Sequence, residues 1–139
     1  MTNARPITGR CQCGAVRYKV TGTIQDLYHC HCSMCRRVHG TVFATYATAP
    51  RNALVIEQGK DNLATYDSSP PVHRHFCRTC GCQLFIDVDD TPEKIWFTPG
   101  TCDWPEDMKA PPGPLEHIFV GSKIPWLPLD DGLPRKEVT

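Results

Sequence analysis

A mostly β chain of short strands joined by turns is predicted on three observations. No stretch sustains the 3.6-residue apolar repeat of an amphipathic helix. Thirteen prolines and ten glycines in 139 residues interrupt the chain too often for a helical bundle. Eight or nine brief runs of alternating or β-branched residues lie between turn-prone clusters, as in sheets packed on one another. At this length a single domain, residues 1–139, is expected, burying roughly two-thirds of its unfolded surface.

Taken in order, Gly14 to Val20 places Val16, Tyr18 and Val20 on one side and Arg17 and Lys19 on the other, the pattern of a half-buried strand. Leu27 to Cys32 is extended, with Tyr28, Cys30 and Cys32 facing one way and His29 and His31 the other. Ser33 then caps a short helical turn through Cys35, Arg36 and Arg37 that ends at Gly40. Further strands are expected over 42–47, 54–58, 63–67, 72–76, 83–88, 95–98 and 115–120. The turns between them are Pro50-Arg51-Asn52, Gly59-Lys60-Asp61-Asn62, Ser68-Ser69-Pro70-Pro71 and Asp89-Asp90-Thr91-Pro92. Residues 103–114, with four prolines, read as a long loop, and 125–134 as an extended tail pinned by Trp126 and Leu127.

Seven of the nine cysteines fall in three groups: Cys11 and Cys13 as CxC, Cys30, Cys32 and Cys35 as CxCxxC, and Cys77 and Cys80 as CxxCG. Tetrahedral zinc with thiolates at about 2.3 Å needs sulfurs roughly 3.7 Å apart, which cysteines two or three positions apart reach without strain. CxC and CxxC together supply four thiolates and close one structural site. CxCxxC supplies three, the number that catalytic zinc usually takes from protein. Its fourth position is open to two readings: Cys82, Cys102 or a histidine fills it and the site is inert, or water or a substrate thiol does.

The formal net charge is zero, which argues against nucleic acid as a partner. It hides an asymmetry: residues 1–60 carry eight Lys/Arg and two Asp/Glu, and residues 61–139 carry seven and thirteen. Internal ion pairing between the halves accounts for this as readily as a functional field does. Residues 1–9 hold no apolar signal core and no apolar run is long enough to span a bilayer, so no membrane association and a cytoplasmic location are expected. In a reducing compartment grouped cysteines are metal ligands sooner than disulfides. The six histidines read as surface or core-edge residues. Arg36 and Arg37 after Cys35, and Arg74 and Arg78 beside the knuckle, either offset thiolate charge or grip the carboxylates of an anionic ligand.

These cysteine groups stand in a longer ordered set: Gly9-Arg10-Cys11-Gln12-Cys13-Gly14-Ala15-Val16, Cys30-His31-Cys32-Ser33-Met34-Cys35-Arg36-Arg37 with Gly40, Phe76-Cys77-Arg78-Thr79-Cys80-Gly81, then His117-Ile118-Phe119 and Pro125-Trp126. That set resembles the glutathione-dependent formaldehyde-activating enzyme family, which also includes centromere protein V. The resemblance implies a β-tent fold of packed antiparallel sheets and two zinc ions per chain. It implies a structural zinc on Cys11, Cys13, Cys77 and Cys80, and a second, catalytic zinc on Cys30, Cys32 and Cys35. Cys82 and Cys102 depart from the family pattern. The activity implied is that of a carbon–sulfur lyase acting on a thiol–aldehyde adduct, with glutathione and formaldehyde as type substrates. Among the cations near the cysteines, Arg36, Arg37 or Arg74 is expected to hold such a thiol's carboxylates. Two alternatives compete with that activity. One is a non-catalytic binding module stabilised by zinc. The other is a thiol-redox protein using Cys77 and Cys80, disfavoured because that CxxC precedes a strand and lacks an activating helix N-terminus.

Overall fold

Ten strands and one helix make up the computed structural model, which describes residues 5–139. The first four of the N-terminal residues read for a signal core lie outside the described residues. A three-stranded sheet has the order β1 (Ile7–Arg10), β2 (Arg17–Val20), β5 (Leu54–Gln58). A seven-stranded sheet has the order β10-β3-β4-β9-β8-β7-β6, with β3 at Leu27–Cys30, β4 at Ala44–Pro50, β6 at Leu63–Ser69, β7 at Val72–Cys77, β8 at Gln83–Val88, β9 at Lys94–Phe97 and β10 at Leu115–Ile118. The mostly β expectation therefore holds, with one difference: β10 runs parallel to β3 at the sheet's edge, so the larger sheet is mixed.

Strand alternation divides the larger sheet into two faces. Leu27, Ala47, Ala49, Ile95 and Phe97 pack with Tyr18 and Val20 of β2 in the smaller sheet, and with Val16 just before that strand, to form the main core. Tyr18 and Phe97 are fully buried, each worth about 2–3 kcal/mol of apolar transfer. The Tyr18 hydroxyl shares hydrogen bonds with Thr101 Oγ1 at 2.6 Å and Cys102 Sγ at 3.2 Å, which satisfies the one polar atom that this burial strands. On the opposite face Cys30, Ala44, Tyr46, Ile86 and Ile118 form a second cluster, completed by Cys35 from the helix.

Helix α1 (Ser33–His39) follows β3 after a two-residue link. Its N-cap is Cys32, one residue earlier than expected: the backbone N–H of Cys35 donates to Cys32 Sγ at 3.3 Å. Gly40 closes it as foreseen, at φ 64° with its N–H bonded to the Arg36 carbonyl. β2 begins at Arg17 instead of Gly14, because Cys11–Gly14 form a turn that puts Gly14 at φ 82°. β10 stops at Ile118, since Phe119 takes a left-handed conformation, φ 57°, and opens a 3-10 turn. Residues 103–114 are a loop. Trp126 does not pin the tail, being 68% exposed, whereas Leu127 is half-buried and its carbonyl accepts from Lys123 Nζ at 2.7 Å; backbone hydrogen bonds then tie residues 134–138 to His117, Phe119, Val120 and Gly121.

Candidate metal centres

The cysteines meet in two clusters. Cys11 and Cys13 come from the turn between β1 and β2, Cys77 ends β7, and Cys80 lies in the knuckle leading to β8. Gly81, at φ 79°, returns its N–H to the Cys77 carbonyl at 2.8 Å, which curls the knuckle around its sulfurs. Cys11 Sγ and Cys13 Sγ are 3.6 Å apart, and Cys13 Sγ and Cys77 Sγ 3.7 Å, close to the edge of a zinc–thiolate tetrahedron. The Val16 N–H and the Asn62 amide each donate at 3.3 Å, to Cys11 Sγ and Cys77 Sγ. Such donors stabilise thiolate over thiol. Four sulfurs within 4.8 Å of one another, drawn from segments more than sixty residues apart, fit a structural metal ion.

The second cluster holds three sulfurs, those of Cys30 at the end of β3, Cys32 at the helix cap and Cys35 in α1. Cys30 and Cys35 are buried and Cys32 is half-buried, so the trio opens towards solvent at Cys32. Among the described residues no fourth His, Cys, Asp or Glu joins it. Cys82 and Cys102, the expected alternatives, are elsewhere: Cys82 Sγ contacts the Gln83 carbonyl at 3.8 Å, and Cys102 Sγ lies against Tyr18 Oη and the Thr98 carbonyl. Burial pushes both of these thiols up. Within the trio, contacts with Cys30 and then Cys35 pull the Cys32 thiol down, and contacts with Cys32 and then Cys35 push Cys30 up. Three sulfurs this close form a soft donor set suited to zinc.

Arg74 of β7 reaches this trio. It is 4% exposed, and its guanidinium donates from Nη2 to Cys35 Sγ at 3.5 Å, from Nη1 to Tyr46 Oη at 3.1 Å and from Nε to Ser68 Oγ at 2.9 Å. Three of its five N–H donors are thus engaged within the protein, one of them on a sulfur of the trio. Arg36 and Arg37 lie one and two residues past Cys35 on α1; Arg37 is exposed and Arg36 half-buried.

Sequence reasoning missed a histidine chain. His31 and His117 are buried, not core-edge, and His31 Nε2 lies 2.8 Å from His117 Nδ1, while His117 Nε2 lies 2.8 Å from Asp131 Oδ2. A carboxylate can only accept, so His117 Nε2 donates to Asp131, and His117 Nδ1 shares the second hydrogen bond with His31 Nε2. Burial first, and the neighbouring His117 second, lower His31 to about 4, which keeps it neutral. No histidine belongs to either cluster among the described residues.

The fold and the clusters together define a small mixed-β protein with one four-cysteine and one three-cysteine candidate metal centre. The sequence profile of the glutathione-dependent formaldehyde-activating enzyme family matches residues 6–122, and the chain belongs to that family. A Halomonas elongata protein named as a candidate glutathione-dependent formaldehyde-activating enzyme is 27% identical over 131 residues, covering 89% of this chain and 81% of its own. A Penicillium rubens protein of the same name is 30% identical over 106 residues, covering 65% of this chain, and the chain spans only 56% of that fungal relative. A crystal structure of a Rhodobacter sphaeroides protein superposes with a TM-score of 0.59 at 30% identity, over 73% of this chain and 90% of that one. Among the described residues no helix is long and apolar enough to cross a membrane.

Proposed function

We propose that this protein is a zinc-dependent carbon–sulfur lyase or synthase acting on the adduct of a small thiol and an aldehyde, with glutathione and formaldehyde as type substrates. The observation that carries the reading is the inequality of the two centres: four sulfurs in one, three in the other, with the half-buried Cys32 the most accessible of the trio. Cys11, Cys13, Cys77 and Cys80 would hold a structural zinc, and Cys30, Cys32 and Cys35 a second, catalytic one. Bound by three thiolates, that second ion would favour the thiolate form of an incoming thiol at neutral pH and act weakly as a Lewis acid.

In the synthetic direction the substrate's sulfur bonds to the carbonyl carbon, the C=O π pair moves to oxygen, and the proton that left the thiol ends on that oxygen. The reverse releases thiol and aldehyde. The chain's part is to hold and orient. α1 brings Cys35 back beside Cys30 and Cys32, the second apolar cluster walls the buried side, and Arg36 and Arg37 supply cations for the thiol's carboxylates.

The test is Cys32→Ser, followed by zinc content and by NMR of hydroxymethyl-thioether formation from glutathione and formaldehyde. The variant is expected to lose one zinc equivalent and the acceleration together. Full activity after losing that equivalent would overturn the reading.

A further inference from the structure

Arg74 is a buried cation whose hydrogen-bond partners include no carboxylate. Ser68 offers a neutral hydroxyl. Tyr46 offers a phenol that burial keeps neutral and that in turn contacts His39 Nε2. His39 is itself neutral near pH 7, pulled to about 4 by burial first and by Arg74 second. A guanidinium removed from water this far persists only when an opposite charge faces it. Cys35 Sγ at 3.5 Å, the remaining partner, belongs to the trio, and a metal bound there would hold it as the thiolate that faces Arg74.

We propose that Arg74 is a specificity-determining residue of the three-cysteine centre, whose fixed positive charge lets the centre accept an anionic fourth ligand, a thiolate, in preference to a neutral one. This rests on the reading above that the trio holds zinc and receives a thiol. Three thiolates and a divalent ion sum to a formal −1. Arg74 returns the unit to zero, so a thiolate joins a neutral assembly instead of a negative one. A neutral ligand gains little from the same charge. Guanidinium stays protonated throughout the working pH range, and anchoring at Ser68 and Tyr46 fixes its fork towards Cys35.

The experiment replaces zinc with Co²⁺ in the full-length protein, in Arg74→Gln and in Tyr46→Phe, and titrates each at one pH with 2-mercaptoethanol and separately with imidazole. The readout is the cobalt visible and sulfur-to-cobalt charge-transfer bands. 2-Mercaptoethanol has no carboxylate, so its response cannot come from an arginine gripping one. Arg74→Gln is expected to weaken the thiol by about tenfold or more and imidazole by less than about twofold. Tyr46→Phe, which loosens the arginine but keeps its charge, shifts the ratio the same way by a smaller factor. Equal losses for both ligands, or none for either, overturn the assignment. Should Arg74→Gln fail to fold, Arg74→Lys and Tyr46→Phe carry the test: lysine holds the ratio and phenylalanine lowers it, and the reverse order overturns the proposal. A wild-type trio that takes up no cobalt, or whose bands ignore the thiol, sinks the metal–thiol reading itself. Normal wild-type binding with an unchanged ratio in the variants sinks only Arg74's role.

Discussion

His31 and His117, 86 residues apart in sequence, share a buried 2.8 Å hydrogen bond. The parallel pairing of β10 with β3 makes this possible, setting His117 beside His29 and Ile118 beside Cys30. The C-terminal tail completes the chain by carrying Asp131 to His117 Nε2. A segment remote in sequence thereby braces His31, which lies between Cys30 and Cys32 of the three-cysteine cluster.

His117→Ala strips His31 of its partner inside the protein and leaves a cavity. Chemical denaturation of the zinc-loaded variant should show a loss of about 2–4 kcal/mol. Asp131→Asn should cost less, since Asp131 is exposed to water. Wild-type stability in His117→Ala would mean that the chain braces nothing.

Gly59→Ala should be among the most damaging single-methyl substitutions. Gly59 sits at φ 82°, and a Cβ there would meet the Ala15 carbonyl oxygen at 2.0 Å, a backbone atom that cannot swing aside. The combined strain and clash are expected to cost about 3 kcal/mol or more, read as a drop in thermal midpoint. Near-neutral behaviour would place the β1–β2 turn differently from the arrangement described.

Removal of a ligand from the four-sulfur centre should affect folding before chemistry. Cys77→Ser separates the β1–β2 turn from the β7–β8 knuckle, and is expected to lose one zinc and several kcal/mol of stability, on the order of the low end for structural zinc sites. Chelation of the wild type should unfold it in the same way. A folded, cooperative Cys77→Ser with one zinc fewer would contradict a structural role for the quartet.

His73 gives a pH dependence of known sign. Hydrogen bonds to Asp67 first and Asp89 second raise its pKa above 6.5. A raised folded-state value stabilises fully below the unfolded pKa and is lost as pH rises through the folded one. The difference in thermal midpoint between wild type and His73→Gln should therefore be largest below pH 6.5 and shrink through neutral into mildly alkaline solution. A difference that grows with pH would refute the pairing.

Much of the fold was legible because local pattern and burial agree. β5 and β8 occupy the expected residues, and the alternation of Val16, Tyr18 and Val20 predicted a buried face that the structure fills. Both cysteine clusters were legible from spacing, since CxC and CxxC fix the sulfur separation locally. β1 was not foreseen, because Ile7–Arg10 offers four residues without clear alternation and owes its strand to pairing with β2. The tail was misplaced for a related reason: backbone hydrogen bonds hold residues 134–138, and these do not depend on side-chain type. Arg74 reads in the sequence as a neighbour of the Cys77–Cys80 knuckle, but its contact is with Cys35 of the other cluster, a proximity that sequence spacing could not give. The His31–His117–Asp131 chain had no local signal, because only the parallel crossover brings its members together.

The most direct test counts zinc per chain, by mass spectrometry, in wild type and Cys32→Ser purified without added metal, and then follows release to a colorimetric chelator with and without glutathione. The account predicts two zincs in the wild type, one leaving rapidly when thiol is present, and a single inert zinc in the variant. Two equally inert zincs in the wild type, or two retained by Cys32→Ser, would contradict a closed quartet beside an exchanging trio.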